Sequence, residues 1–289
     1  MRLEKKSPCK VNLVLNILGK RADGFHELET ILQPVNLGDG MTFERAGTGL
    51  RLTCSHPELP ADSKNLVHRA ADAFLTAAKI SDGVRIHLQK NLPLAGGIGG
   101  GSANAAVTLT ALNELFDSPL TPGTLDELAA AIGSDVPFFL QDKPALATGR
   151  GEQIRALEPF AALKGKAFLL AHPGFGIPTP WAYQTLARFP EALNGKPGRA
   201  AELITRLQTN DWTDAGGFYN SLEAPAFDKF PVLQLHQRFL RENGALASLM
   251  SGSGSTTFAL TDNLAAANLL AEKFKVHFGD KGWLAMVEA

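Results

Sequence analysis

Leu92-Pro93-Leu94-Ala95-Gly96-Gly97-Ile98-Gly99-Gly100-Gly101-Ser102-Ala103-Asn104-Ala105-Ala106 gathers five of the chain's 28 glycines into six residues. A strand-like run at residues 84–88 leads into it, and a helix-like run at 102–116 leads out. Glycine allows positive φ and close backbone approach, and a helix start offers unpaired N–H groups at the positive end of its dipole. That combination is an anion cradle, and phosphate is its natural guest. A flexible linker of the same composition is rarely hemmed in by apolar runs.

Neither familiar phosphate loop fits. A Walker loop closes on Gly-Lys-Ser/Thr, whereas Gly101 is followed by Ser102 and Ala103. A dinucleotide fingerprint starting at Gly97 needs glycine at its sixth place, which is Ser102. The loop is of a third kind, to be identified from its surroundings.

The chain has 289 residues, the length at which one domain tends to become two. A net charge of −1 gives no general attraction to nucleic acid or to an anionic membrane, so an anionic ligand needs a local site. The two cysteines, Cys9 and Cys54, make neither a disulfide framework nor a zinc pattern and read as small buried residues in a reducing compartment. No apolar run approaches the ~18 residues of a membrane span, and the charged N-terminus does not read as a leader. The expectation is a cytoplasmic protein with small-molecule partners, without nucleic acid or membrane, and a monomer or weak homodimer.

In chain order, Val11, Leu13, Leu15 and Ile17 alternate with Lys10, Asn12 and Asn16, as in a strand with one polar face. Lys10 and Asn12 on that face are either solvated or part of a site. Residues 19–26 read as a loop in which Phe25 and His26 are either plain anchors or a stacking and hydrogen-bonding pair for a planar heterocycle. Short strands at 41–44 and 50–54 precede a helix over 62–79, whose apolar face runs through Leu66, Ala70 and Phe74. Thr124 with Glu127 reads as a capping box for a helix ending at Gly133. Beyond it, Asp135 sits between a helix end and Pro137, as a turn residue or as a partly buried functional carboxylate. The pattern lapses over 157–166, which places a boundary between domains 1–158 and 159–289. In the second half, strands are expected at 167–171, 246–250, 256–260 and 283–287, with helices at 199–208, 232–243 and 264–274. Thr179 with Pro180 can cap a helix through Leu186. This order suggests an antiparallel sheet with helices on one side, an α+β arrangement.

Three pieces, Ser7-Pro8-Cys9-Lys10-Val11-Asn12-Leu13, the glycine loop, and Ser251-Gly252-Ser253-Gly254-Ser255-Thr256, resemble in order and spacing the three motifs of the GHMP kinase superfamily. Arg21–His26, Ser134–Phe139 and Gly149–Glu152 extend the likeness over essentially the whole chain, toward the branch that phosphorylates a cytidine-diphosphate-linked methylerythritol. The resemblance implies a two-domain α+β fold, the N-terminal half ribosomal protein S5 domain 2-like and the C-terminal half a ferredoxin-like α/β sandwich, with the active site in the cleft between them. It implies ATP and Mg²⁺ as cofactors, with Pro93, Leu94, Ala95, Gly96, Gly97, Ile98, Gly99, Gly100, Gly101, Ser102 and Ala103 around the phosphates and Asn65 and Leu66 beside the adenine. Ser102 is either a metal ligand or a helix cap. The resemblance further implies that Lys10 and Asp135 face the hydroxyl to be phosphorylated, and that Asn12, Phe25, His26 and Thr179 contact the substrate. A carboxylate in reach of the alcohol accepts its proton, and a neighbouring ammonium keeps that carboxylate ionised.

Two positions depart from the family pattern. Position 9 is Cys rather than a smaller Ala or Ser, a packing change. Position 25 is Phe where Tyr is frequent, which keeps stacking and loses a phenolic hydrogen bond. A kinase of the same superfamily acting on mevalonate, homoserine or a sugar would have no nucleobase for Phe25 and His26 to hold. A silent nucleotide or metabolite sensor could dispense with Lys10 and Asp135, and both are present. A nucleic-acid module would carry a basic surface.

Overall fold

The computed structural model describes residues 2–212 and 217–289. In chain order its strands and helices begin with β1 (Arg2–Lys20), β2 (His26–Ala46), β3 (Leu50–Cys54), α1 (Leu66–Ala77), β4 (Gly83–Gln89), α2 (Gly100–Leu115) and α3 (Pro122–Ile132). There follow β5 (Ala145–Gly149), β6 (Gln153–Ala156), β7 (Ala167–His172), α4 (Thr179–Thr185), α5 (Pro190–Leu193) and α6 (Arg199–Thr209). The chain closes with β8 (Tyr219–Asn220), α7 (Glu223–Lys229), α8 (Pro231–Glu242), β9 (Ala247–Met250), β10 (Thr257–Thr261), α9 (Leu264–Phe278) and β11 (Trp283–Glu288).

These elements divide into two compact units. The first holds the chain up to Cys9, Leu37–Leu92 and Gly99–Asp142. Here the end of β2 pairs antiparallel with β4 from Gly40↔Gln89 to Ala46↔Gly83, and β3 lies parallel to β4. Alternation along β4 turns Val84, Ile86 and Leu88 inward and leaves Arg85, His87 and Gln89 outside. Val67, Ala70, Ala71 and Phe74 of α1 are buried, together with most of α2 from Ala103 to Leu115. The small residues Ala103, Ala105 and Ala106 are fully buried, so α2 packs closely along its length. Helix α3 is capped by Thr121, whose hydroxyl accepts from the Thr124 N–H, with Pro122 in the first turn. The capping box at Thr124 and Glu127 is therefore wrong by one turn. Proline's fixed φ and missing N–H suit the first helical position, which moves the start back to Thr121.

The second unit holds Lys10–Asn36, Pro93–Ile98 and Lys143–Ala289. One of its sheets is four-stranded and wholly antiparallel, in the order β11-β7-β10-β9. Leu240 of α8 and Ala267, Leu270, Ala271 and Phe274 of α9 pack against Ala167, Leu169, Ala171 and Ala259 on one face of it. In the same unit, Leu28–Leu32 of β2 pairs with β5, β5 with β6, and Val14 and Leu15 of β1 run parallel to β8.

Lys10, Asn12 and Asn16 are 3%, 3% and 0% exposed, so of the two readings of the polar face of β1 the solvated one is eliminated. One expectation fails on β2. The β2 strand begins at His26, far ahead of the short strand expected at 41–44. Pro34, Gly38 and Gly40 break its alternation, and those residues read as punctuation in a sequence. Gly38 is needed there, since a Cβ at that position would lie 1.8 Å from the Ser7 carbonyl oxygen.

Candidate active site

In the second unit, the three motif segments meet at one point. The buried Lys10 ammonium donates to Asn12 Oδ1 at 2.5 Å and to the Gly97 carbonyl at 3.2 Å. Ser251 Oγ donates to the same Gly97 carbonyl at 3.0 Å, and the Asn12 N–H donates to Ser251 Oγ at 3.3 Å. Asn12 is fixed from its other side, Nδ2 donating to Thr30 Oγ1 at 2.8 Å and Thr30 in turn to the Val14 carbonyl at 2.5 Å. A buried charge needs such partners, and a backbone carbonyl plus an oriented amide supply them.

Backbone contacts lock the same point. The Lys10 N–H donates to the Ile98 carbonyl at 3.0 Å, and the Thr256 N–H to that of Gly96 at 3.1 Å. Gly97 has φ +76, and a Cβ there would lie 2.2 Å from the Ser251 carbonyl oxygen. Side chains at Gly96 are also excluded, by Thr256 Oγ1 at 2.8 Å and the His172 ring at 3.3 Å. Ala95 has φ +50 and lies against Gly176, while Pro93 and Leu94 are half-buried.

In the first unit, the loop continues through Gly99, the N-cap of α2, at φ 72 and with no side-chain capping bond. Gly100, Gly101 and Ser102 form the first turn, which carries no acidic residue. Ser102 is thus inside the helix and is not its cap, the left-handed glycine having taken that place. Leu66 lies against this turn, its Cδ1 3.6 Å from where a Cβ on Gly101 would sit. Asn65 caps α1, accepting from the Val67 N–H at 3.0 Å and donating to the Pro60 carbonyl at 2.8 Å. Asp135 occupies the turn between α3 and the short helix Pro137–Leu140, half-buried beside the fully buried Val136.

Near residue 25, Arg21 braces the loop through Asp23 at 3.1 Å and Glu27 at 2.5 Å, and Asp23 accepts the Phe25 N–H at 3.1 Å. Phe25 is 54% exposed, and the Arg150 guanidinium covers one face of its ring at 4.7 Å. His26 lies 5.2 Å from the Tyr183 ring. Burial, reinforced by the Lys20 charge, lowers the His26 pKa and keeps the ring neutral at neutral pH. Thr179 opens α4 but caps nothing; its hydroxyl bonds that of Ser253 at 2.9 Å, and Pro178 occupies the N-cap. Sequence reasoning missed Thr30 and Tyr183 as members of this neighbourhood, and gave Arg150, inside the Gly149–Glu152 motif, no place in it. Tyr183 has a readable signal, lying one helical turn beyond Thr179.

Residues 65–143 match the family model of the GHMP kinases N terminal domain, and residues 189–280 that of the GHMP kinases C terminal. A 4-diphosphocytidyl-2-C-methyl-D-erythritol kinase of Synechococcus sp. (strain JA-3-3Ab) is 41% identical over 277 residues, which span 93% of this chain and 88% of that protein. The kinase of the same name from Pelotomaculum thermopropionicum is 39% identical over 269 residues, 92% of each chain. The chain belongs to the GHMP kinase family. It is a small-molecule kinase with the family's two-domain α+β fold. A crystal structure of 4-(cytidine 5'-diphospho)-2C-methyl-D-erythritol kinase shares that fold with a TM-score of 0.84 at 34% identity, over 99% of this chain and 100% of the other. Homoserine kinase from Cytophaga hutchinsonii has the same fold, with a TM-score of 0.78 at 21% identity over 99% of this chain and 94% of that one.

In this GHMP kinase, the loop Ser251–Thr256 is held by side chains of β8 and α7. Asn220 Nδ2 donates to the carbonyls of Met250 at 2.7 Å and Gly252 at 2.8 Å. Glu223 Oε1 accepts from the Met250 N–H at 2.8 Å and from Gln237 Nε2 at 2.6 Å. Burial raises the Glu223 pKa to about 7 against the pull of these donors and of Arg241. His236, packed edge-on against Phe274 and Phe278, is lowered by burial to about 4.

The two shifts tilt stability in opposite directions. Glu223 keeps its proton in the fold where the unfolded chain has lost it, so its contribution is full below the ordinary glutamate value of 4.5 and lost as pH rises to about 7. His236 refuses a proton that the unfolded chain takes, so its contribution is present above 6.5 and lost as pH falls to about 4. Urea unfolding across this shared window is expected to show stability rising with pH in Glu223→Gln and falling with pH in His236→Phe. Slopes identical to the parent's in both variants would contradict both assignments.

Proposed function

We propose that this chain transfers the γ-phosphoryl group of ATP to the 2-hydroxyl of 4-diphosphocytidyl-2-C-methyl-D-erythritol, a step of the non-mevalonate route to isoprenoid precursors, in the cytoplasm. The observation that carries the reading is the meeting of Lys10, Asn12, Gly97 and Ser251, in a chain 41% identical to a kinase of that name.

The loop Pro93–Ala103 holds the phosphates through backbone N–H groups and the start of α2, where Gly99, Gly100 and Gly101 leave room for close approach. Leu66 offers apolar surface to the adenine. Asn65 spends its side chain on capping α1 and meets the base only through its backbone and edge. Asp135 accepts the proton of the 2-hydroxyl as it attacks. Lys10, oriented by Asn12, steadies the oxygen as charge develops. Phe25 stacks on the cytosine, the neutral His26 offers its edge one donor and one acceptor, and Thr179 contacts the substrate beside Ser253.

Among the described residues no group of three or more His, Cys, Asp or Glu gathers as a metal cage. Mg²⁺ needs none, since it binds through one or two protein oxygens together with phosphates and water. Ser102, whose hydroxyl is not spent as a helix cap, is a donor of that kind. When bound, the ion draws off charge from the phosphoryl group in transfer.

Phosphorus NMR of an incubation with ATP, Mg²⁺ and the cytidine substrate is expected to show a new phosphomonoester on the 2-oxygen with the diphosphate intact. A spectrum of unchanged substrate would contradict the proposal. Phe25→Ala is expected to raise KM for the cytidine substrate about tenfold, from the ~1–3 kcal/mol of a base–aromatic stack, with KM for ATP unchanged. Equal effects on both constants would remove Phe25 from base recognition.

A further inference from the structure

The first unit contains a buried ion pair that no sequence motif marks. Asp39 and Lys90 side chains are 0% and 5% exposed and in direct contact. Asp39 Oδ1 accepts the N–H groups of Asn91 at 2.8 Å and Leu92 at 2.9 Å, the residues that lead into the glycine loop. Asp39 Oδ2 accepts from Lys90 and, at 3.0 Å, from Asn104 Nδ2 in α2, just past the loop. Asn104 is 2% exposed, and its Oδ1 has no hydrogen-bond partner among the described residues, so the amide is held there for its donor alone. The Lys90 ammonium lies 3.2 Å from where a Cβ on Gly100 would sit, against the first turn of α2. One carboxylate thus ties both ends of an eleven-residue loop, residues 93–103, to a single point.

Stability is a poor reason for such an arrangement. Desolvating two charges cancels most of their attraction, and a hydrophobic pair of similar volume often does as well. A fixed distance between Leu92 and Asn104, in contrast, decides whether the N–H groups between them converge on one anion. We infer that Asp39, Lys90 and Asn104 are positioning residues that set the span of the glycine loop for nucleotide. The inference rests on the reading that this loop holds ATP.

Two variants separate positioning from folding. Asp39→Leu/Lys90→Met removes the pair whole, and Asn104→Leu cuts only the tie to α2. Both are expected to weaken ATP binding about tenfold or more by calorimetry, with KM for the alcohol substrate unchanged. Both are also expected to speed amide exchange of residues 93–103 in the nucleotide-free protein. Should the double variant not fold, Asn104→Leu alone decides. Loop exchange and ATP affinity equal to the parent's in a folded variant would overturn the inference. Absence of ATP binding in the parent would instead overturn the nucleotide reading, and the exchange data would still decide the anchor.

Discussion

Asp135→Asn is expected to lower turnover by ~10²-fold or more while leaving the dissociation constant for ATP nearly unchanged. The substitution keeps the shape of the side chain in its turn, half-buried before Val136 and Pro137, and removes only its capacity to take a proton. In phosphoryl transfer much of the barrier falls by positioning and electrostatics, so activity above background should survive. Single-turnover kinetics separate the chemical step from binding and product release. Unchanged turnover would take Asp135 out of the mechanism.

Gly97→Ala is expected to lower kcat/KM by ~10²-fold or more, a loss of about 3 kcal/mol, together with a fall in Tm. The left-handed φ of +76 accounts for part of this, and the rest comes from contact. The added Cβ would meet the Ser251 carbonyl oxygen at 2.2 Å, the Gly254 N at 2.9 Å and the Gly254 carbonyl oxygen at 3.0 Å, all backbone atoms that cannot turn aside. Displacing them also breaks the Lys10 and Ser251 bonds to the Gly97 carbonyl. Gly151→Ala is the control, since Gly151 has φ +103 but nothing within 4 Å of an added Cβ. Equal effects of the two substitutions on activity would show that the close approach at Gly97 is irrelevant.

The elements best legible in the sequence were those whose periodicity runs unbroken between clear stops. Leu50–Cys54 was read to the residue, and α2, β4 and α8 to within two residues at each end. The part of β2 before Met41 is not legible, because Pro34, Gly38 and Gly40 score locally as loop, although Gly38 stands where a Cβ would strike the Ser7 carbonyl. Thr121 lost to Thr124 as the cap of α3 because the capping-box spacing is a local signal, while Pro122 decides the start through its missing N–H.

The candidate site was legible through its glycines and through family likeness, and much less through its polar side chains. Lys10 and Ser251 share an acceptor across a separation of about 240 residues, which no window along the chain can sense. Asp39 and Lys90, 51 residues apart, belong to no motif. Burial turned their charges from ordinary surface residues into partners, and burial is a property of the folded chain.

A coupled ADP-release assay of the purified protein, run in parallel with 4-diphosphocytidyl-2-C-methyl-D-erythritol, mevalonate and homoserine, bears most directly on what the molecule does. The cytidine substrate should be turned over with a kcat/KM at least ~10²-fold above either alternative, since only it carries a base for Phe25 and His26. ADP release favouring mevalonate or homoserine would contradict this.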